Sequence, residues 1–256
     1  MSAKTSTTVL KAFSVLEALG DSDTPMSATQ IARETGYDRA TCYRLLMTLK
    51  EAQYVSLDVD TKKFEISFRV VSLARKLLQE DKEVEMVREV MRMISHRSTE
   101  TCHYSTLDGE KSVITLRERG KQVVSVEFGV GESAELYSTA GGKAMLAFAD
   151  TRFTQKILSK KLPRHTVNTI CTPSELRQEL LTVRAHGVAY DNEELMIGLR
   201  CLAAPIFEAD GSVRSTIAMS GPTGRYTDER VAELEVILRE GARELTRRRG
   251  GPQWSV

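Results

Sequence analysis

The sequence predicts an α+β chain in two parts: three short helices and a β-hairpin, then, after a connecting helix, an antiparallel sheet covered by helices. Three observations predict it. Apolar residues recur at helical spacing as far as Leu49, and the period switches to two between Val55 and Ile66. Two Asp-Gly pairs, Asp108-Gly109 and Asp210-Gly211, each join runs of strand-forming residues. At 256 residues the chain has the length of about two domains.

The elements follow in order. Val9, Ala12, Phe13 and Leu16 make an amphipathic helix that Gly20 can end. Ser27 and Gln30 have the S-x-x-Q spacing of a capping box, so a second helix starts at about Ala28. Its narrow apolar face is Ala28, Ile31 and Ala32, and Gly36 tolerates the left-handed turn that follows. Asp38 can cap a third helix, in which Cys42, Leu45, Leu46 and Leu49 form the inward stripe. Arg44 lies nearly opposite that stripe, Arg39 and Thr41 sit in the first turn, and Tyr43 is on the flank. Beyond Tyr54, Val55, Leu57 and Val59 face one way and Asp58 and Asp60 the other. Phe64, Glu65 and Ile66 alternate again, so the two runs read as a hairpin with Lys62 and Lys63 at its tip.

Two helices joined by a tight turn and followed by such a wing point to a winged helix-turn-helix that reads double-stranded DNA. The N-terminal part of the second helix of such a pair meets base edges. Arg39, Thr41, Tyr43 and Arg44 are therefore the candidate base contacts, with Ser27 and Thr29 at the start of the preceding helix. Lys62 and Lys63 are placed to meet phosphates, which adds affinity without sequence information. Residues 1–68 hold eight basic and nine acidic side chains, so a strongly basic footprint is absent. Placement favours a reader all the same, since Glu17, Asp21 and Asp23 belong to the first helix and its loop. A plain helical module is the competing reading.

Residues 69–84 suit a linker helix, with Val70, Val71, Leu73, Ala74, Leu77 and Leu78 running into the charged stretch Gln79 to Glu85. Residues 85–256 form the second domain. Thr101 to Leu107 and Val113 to Leu116 make a hairpin, and Val123 to Phe128 is expected to add a strand. Helices are expected at Lys143 to Phe148, Thr151 to Leu158 and Pro173 to His186, followed by strands at Arg200 to Phe207 and Val213 to Ser220. A last helix, from Asp228 to Arg249, ends in three arginines that complement its terminus and in Gly250. About 170 residues are enough to bury a core and a pocket.

Composition excludes several function classes. Thirty-six basic against 35 acidic residues leave +1, so no global field draws the chain to nucleic acid or membrane. No apolar run approaches the roughly 18 residues of a membrane span, and the N-terminus lacks a hydrophobic signal, so a cytoplasmic protein is expected. Cys42, Cys102, Cys171 and Cys201 form no C-x-x-C pair, and His96, His103, His165 and His186 lack metal-ligand spacing, so neither a metal nor a disulfide framework is expected. An enzyme using Cys201 with His186 and Asp191 can be drawn, but a thiol amid Leu199, Leu202, Ala203 and Ala204 reads as inert core. No phosphate loop is present at Thr139 to Lys143, and no cofactor is expected. Gly141 and Gly142 precede a helix expected to begin near Lys143. Its open amides suit a carboxylate or phosphate, and the same glycines equally suit a tight strand-to-helix turn.

Four stretches carry a resemblance: TGYDRATCYRLLMTL at 35–49, STAGGKAMLAF at 138–148, YDNEELMIGLRCLAAPIF at 190–207 and IAMSGPTGRYTDERV at 217–231. In this order and spacing the chain resembles transcriptional regulators of the IclR family. The resemblance implies an N-terminal winged helix-turn-helix, a linker helix and an effector domain with a GAF-like or profilin-like sheet. It further implies dimers or dimers of dimers on a pseudo-palindromic operator, and in many members a repressor released by a small organic acid. A ligand-dependent activator is the alternative, and a second domain that only oligomerises is another. By match to the family motifs, Ala140, Gly141, Asp191, Leu199, Cys201, Ala218 and Ser220 line the effector pocket. Val126, Ala134 and Tyr137 are expected to form its upstream wall, the Tyr137 phenol pointing inward or capping the core. Gln53 stands where a glycine commonly precedes the wing tyrosine, and Glu65 to Ser67 replaces a typical Arg-Leu-Gly. Ala40 stands where serine is frequent, which removes one possible hydroxyl contact to DNA, and Ala218 where some relatives present a serine, which removes one possible hydrogen bond to a ligand carboxylate.

Overall fold

The computed structural model describes residues 5–78, 82–126 and 128–252, and of residues 75–78 the backbone alone. The chain divides into two compact units, Met1–Glu80 and Asp81–Val256.

The first unit holds α1 (Thr7–Gly20), α2 (Ala28–Thr35), α3 (Arg39–Glu51), β1 (Val55–Leu57), β2 (Phe64–Ile66) and α4 (Arg69–Leu78). The Ser27–Gln30 capping box forms as the spacing predicts, and Gly36 ends α2 at φ +71°. The Asp38 carboxylate accepts the Thr41 amide at 2.8 Å and opens α3. Cys42, Leu45, Leu46 and Leu49 turn inward against Val15, Leu19, Ile31 and Phe64. In α1 the buried face is Val15 and Leu19, whereas Val9 and Phe13, expected to face inward, are exposed. β1 and β2 pair antiparallel, Val55 opposite Ile66 and Leu57 opposite Phe64. Val59 lies outside the strand in the turn and is exposed, which corrects its assignment to the inward set. Met26 adds a bridge to Phe64 that sequence pattern does not announce. The expected linker helix appears as α4, while its continuation through residues 79–81 lies outside the described residues.

The second unit opens with α5 (Lys82–Ser98), three residues ahead of the expected boundary at 85. It continues with β3 (Thr101–Asp108), β4 (Lys111–Glu118), β5 (Ser133–Glu135), α6 (Ala140–Phe148), α7 (Thr151–Leu158), α8 (Pro173–His186), β6 (Ala189–Asn192), β7 (Leu199–Phe207), β8 (Val213–Pro222) and α9 (Asp228–Arg248). The six strands are ordered β5-β4-β3-β8-β7-β6, each antiparallel to its neighbour. One face packs on α5 and α9 through Met91, Ile94, Leu202, Ile217, Leu234 and Leu238. The other packs on α6, α7 and α8 through Ala144, Met145, Ile157, Leu176, Ala203 and Phe207. Burial on both faces explains why β7 reads as a nearly continuous apolar run.

No strand forms at 123–128 among the described residues; Val123 and Val124 are exposed, and Ser133–Glu135 takes the place beside β4. Residue 127 of that expected strand lies outside the described residues. Helix α6 starts at Ala140, not near Lys143, so both glycines lie in its first turn.

Candidate functional site

In the first unit α3 presents Arg39, Tyr43 and Arg44 to solvent, with Thr41 half-buried. Among the described residues neither Arg39 nor Arg44 enters an ion pair, so both guanidinium groups are open to an anion. Tyr43 is shared, because its ring meets Phe64 of the wing edge-on at 6.3 Å between centroids while the rest of the side chain stays exposed. Ser27 is occupied in capping, its backbone amide bonded to Gln30 Oε1 at 2.9 Å, and Thr29 beside it is exposed. In the wing turn the Asp58 carboxylate accepts the amides of Asp60 and Thr61, and this leaves Lys62 exposed at φ +56° with Lys63 half-buried behind it. The two departures from the family pattern meet each other: the Ser67 hydroxyl donates to the Gln53 carbonyl, and Arg69 reaches Gln53 Oε1 at 3.2 Å.

In the second unit a cavity of about 170 Å³ lies between the sheet and the start of α6. Strand register builds it. Asp191 stands opposite Cys201, and Cys201 opposite Ser220, so one row across β6, β7 and β8 carries a carboxyl, a thiol and a hydroxyl. His103 of β3 pairs with Ala218 one step along. Ser105, Ser112, Ile114, Ser133 and Ala134 extend the wall through β3, β4 and β5, and Phe128, Glu132 and Leu195 close it from loops. Thr139, Ala140 and Gly141 bring the start of α6 to the remaining side.

The two glycines divide their roles. A Cβ at Gly142 would stand 2.3 Å from the Leu136 carbonyl oxygen, so this position has room for hydrogen alone. Its amide is taken by Thr139 Oγ1 at 3.0 Å. The amides of Ala140 and Gly141, at the first two positions of α6, have no partner inside the helix, and both residues line the cavity.

Electrostatics set the chemistry. Asp191 Oδ1 accepts the amides of Glu194 at 2.7 Å and Leu195 at 3.4 Å, while Oδ2 is buried with no partner among the described residues. Burial pushes its carboxyl up to about 7, the neighbouring Glu194 adding to the rise against those two amides. Burial likewise pulls the His103 imidazole down to about 4; its Nδ1 lies 3.3 Å from Ser220 Oγ, and Nε2 has no partner among the described residues. Burial raises the Cys201 thiol as well, which keeps it protonated and a poor nucleophile. Behind the cavity wall the fully buried Lys143 ammonium bonds Glu194 at 2.5 Å and Glu179 at 3.0 Å.

Of the residues expected in the pocket, the structure gathers Ala134, Ala140, Gly141, Asp191, Cys201, Ala218 and Ser220 around the cavity. Three lie elsewhere. The Tyr137 hydroxyl donates to the Pro163 carbonyl at 2.6 Å and the ring stacks on His165, so the side chain caps the core. Leu199 is buried at the entry to β7, and Val126 is half-buried in the segment where the expected strand is absent. His103 and Ser105 escape sequence reasoning because only the pairing of β3 with β8 brings them to this face, and Phe128 because it reaches the cavity from the loop after β4. The grouping of Cys201 with His186 does not form at the cavity, since His186 is exposed at the end of α8.

A winged helix-turn-helix unit joined to a cavity-bearing unit defines a DNA-binding transcriptional regulator with a ligand-binding domain. Residues 76–247 match the family model for the bacterial transcriptional regulator IclR C-terminal domain, and residues 8–58 match the IclR helix-turn-helix domain. The chain belongs to the IclR family. It is similar to the HTH-type transcriptional regulator KdgR of Escherichia coli K12, 32% identical over 246 residues that cover 94% of this chain and 92% of the relative. The transcriptional repressor IclR of the same organism is 28% identical over 93% of this chain and 88% of its own. Among solved structures, the Thermotoga maritima IclR aligns with a TM-score of 0.76 at 29% identity, over 95% of this chain and 98% of that one. These relatives are regulators and not enzymes.

Proposed function

We propose that the protein is a repressor that binds a pseudo-palindromic operator as a dimer or dimer of dimers, in the cytoplasm, and lets go when a small organic acid fills the cavity. One observation carries this reading: a single chain combines an α3 face with two arginines that are unpaired among the described residues and a cavity lined by Ala140 and Gly141, whose amides open α6. Arg39, Thr41, Tyr43 and Arg44 would meet base edges, and Lys62 and Lys63 the flanking phosphates. Ser27 and Thr29 would meet the backbone at the start of α2.

The cavity volume supports a small effector, because an engineered cavity of about 150 Å³ in another protein is filled by benzene. A ligand carboxylate against the α6 amides meets the positive end of the helix. Ser220 and Asp191 would contact its other polar groups. The similar Escherichia coli protein is a transcriptional repressor, which supports the repressor half of this reading. An effector that prefers the released arrangement by about 2–3 kcal/mol lowers operator occupancy on the order of a hundredfold.

The test is fluorescence anisotropy of an operator duplex selected by the protein from a random pool, followed through titration with lactate, pyruvate and succinate semialdehyde. Release of the duplex by one of these acids is the expected result. Tightened binding would make the protein a ligand-dependent activator instead.

A further inference from the structure

We propose that the cavity takes up a small monocarboxylate together with one proton, which Asp191 holds while its O–H donates a hydrogen bond to the ligand. The inference rests on the acid-effector reading and adds the charge state of the site. Among the described residues no lysine or arginine lines the cavity. The nearest buried cation, Lys143 of α6, is already held by Glu194 from the loop after β6 and by Glu179 of α8. Arg117 of β4 donates to the Phe128 carbonyl. Among the described residues, the remaining titratable groups that line the cavity with Asp191 are Cys201 of β7, His103 of β3 and Glu132 at the mouth, none of them a cation at neutral pH.

An anion entering this space beside an ionised Asp191 would bring two like charges together in a buried site, with two helix amides and several hydroxyls as the offsetting groups. A proton resolves the conflict. Asp191 Oδ1 is already engaged by the amides of Glu194 and Leu195, so the proton belongs on the unpartnered Oδ2, from where an O–H can donate to a ligand carboxylate oxygen. The proton comes from solvent and returns there on release, and no bond other than this O–H is made or broken. The raised carboxyl of Asp191 fits the arrangement, being half protonated near neutrality before any ligand arrives. A dianion such as a dicarboxylate or a phosphate ester would need a second proton, so the site favours singly charged acids.

The linkage has a definite sign. A bound anion raises the Asp191 carboxyl further, so binding takes up a proton and affinity falls as pH rises above about 7. The experiment is calorimetric titration of the full chain with lactate, pyruvate and benzoate at pH 6, 7 and 8, in two buffers of different protonation enthalpy. Wild type should take up close to one proton at pH 8, with Kd rising up to about tenfold per unit above pH 7. Succinate should bind at least about tenfold more weakly than lactate. In Asp191→Asn the amide supplies the donor permanently, and Kd should change less than about twofold between pH 6 and 8. A flat or falling wild-type Kd overturns the inference while leaving the acid reading intact. A slope that survives in Asp191→Asn assigns the proton to His103, and loss of binding in that variant at every pH makes the carboxylate an acceptor; either overturns it. Failure of all three acids to bind wild type at pH 6 removes the acid-effector reading itself.

Discussion

Lys143 is 1% exposed, and its ammonium is shared between Glu194 and Glu179. Charges taken out of water at this depth stabilise the fold only as a set, and removing the cation leaves two carboxylates facing each other. Lys143→Met is expected to destabilise the second unit by about 3–5 kcal/mol in urea denaturation, and adding Glu194→Gln should recover part of the loss. A loss below about 1 kcal/mol would mean that water reaches the pair. The same lysine ties the first turn of α6 to the loop that orients Asp191, so cavity wall and charge network are one structure. At this scale the sequence points to Asp191, Cys201 and Ser220 through their match to the family motifs, and not through any local pattern of their own. It is silent about His103 and Ser105, whose alternation with buried Cys102 and Tyr104 carries no sign of which face holds a cavity. Tyr137 shows the opposite failure, because its partner, the Pro163 carbonyl, comes from 26 residues away.

At the scale of elements, α2 and α3 form for reasons visible in their own residues: the Ser27 box, the left-handed Gly36, the Asp38 cap and the Cys42 to Leu49 stripe. The wing is legible from its alternation, but its anchor at Met26 is not. Strands β5 and β6 are three and four residues long, and their short runs lack a β signature without a neighbour to pair with. Gln53 occupies the left-handed region at φ +69°, where a glycine is comfortable and a side chain is not. Gln53→Gly is therefore expected to raise the stability of the first unit by about 0.5–1 kcal/mol in thermal denaturation. A destabilisation would show that the Gln53 Oε1 contact with Arg69 outweighs the backbone strain. At the wing tip, Lys62→Ala should weaken DNA binding evenly across sequences and reduce the slope of log K against log salt by about 1. A change in sequence preference would instead place Lys62 in a groove.

For the molecule as a whole, two units with separate cores assign separate tasks to separate parts of the chain. The near-zero net charge matters here, because attraction to DNA has to come from the few cations of α3 and the wing and not from the field of the entire protein. Variants in either unit are expected to act on one function alone. Ser220→Ala should blunt the response to effector while free protein still binds its operator, as anisotropy with and without acid can show. A normal response would move the pocket away from β8.

The most direct measurement of the central claim is the affinity of wild type and Arg44→Ala for the selected operator duplex, each paired with calorimetric binding of the acid that releases wild type. Arg44→Ala should lose about 10- to 100-fold in operator affinity, corresponding to 1–3 kcal/mol for a base-contacting arginine, with acid binding unchanged. Unchanged operator affinity in that variant would contradict the assignment of the polar face of α3 as the surface that reads DNA.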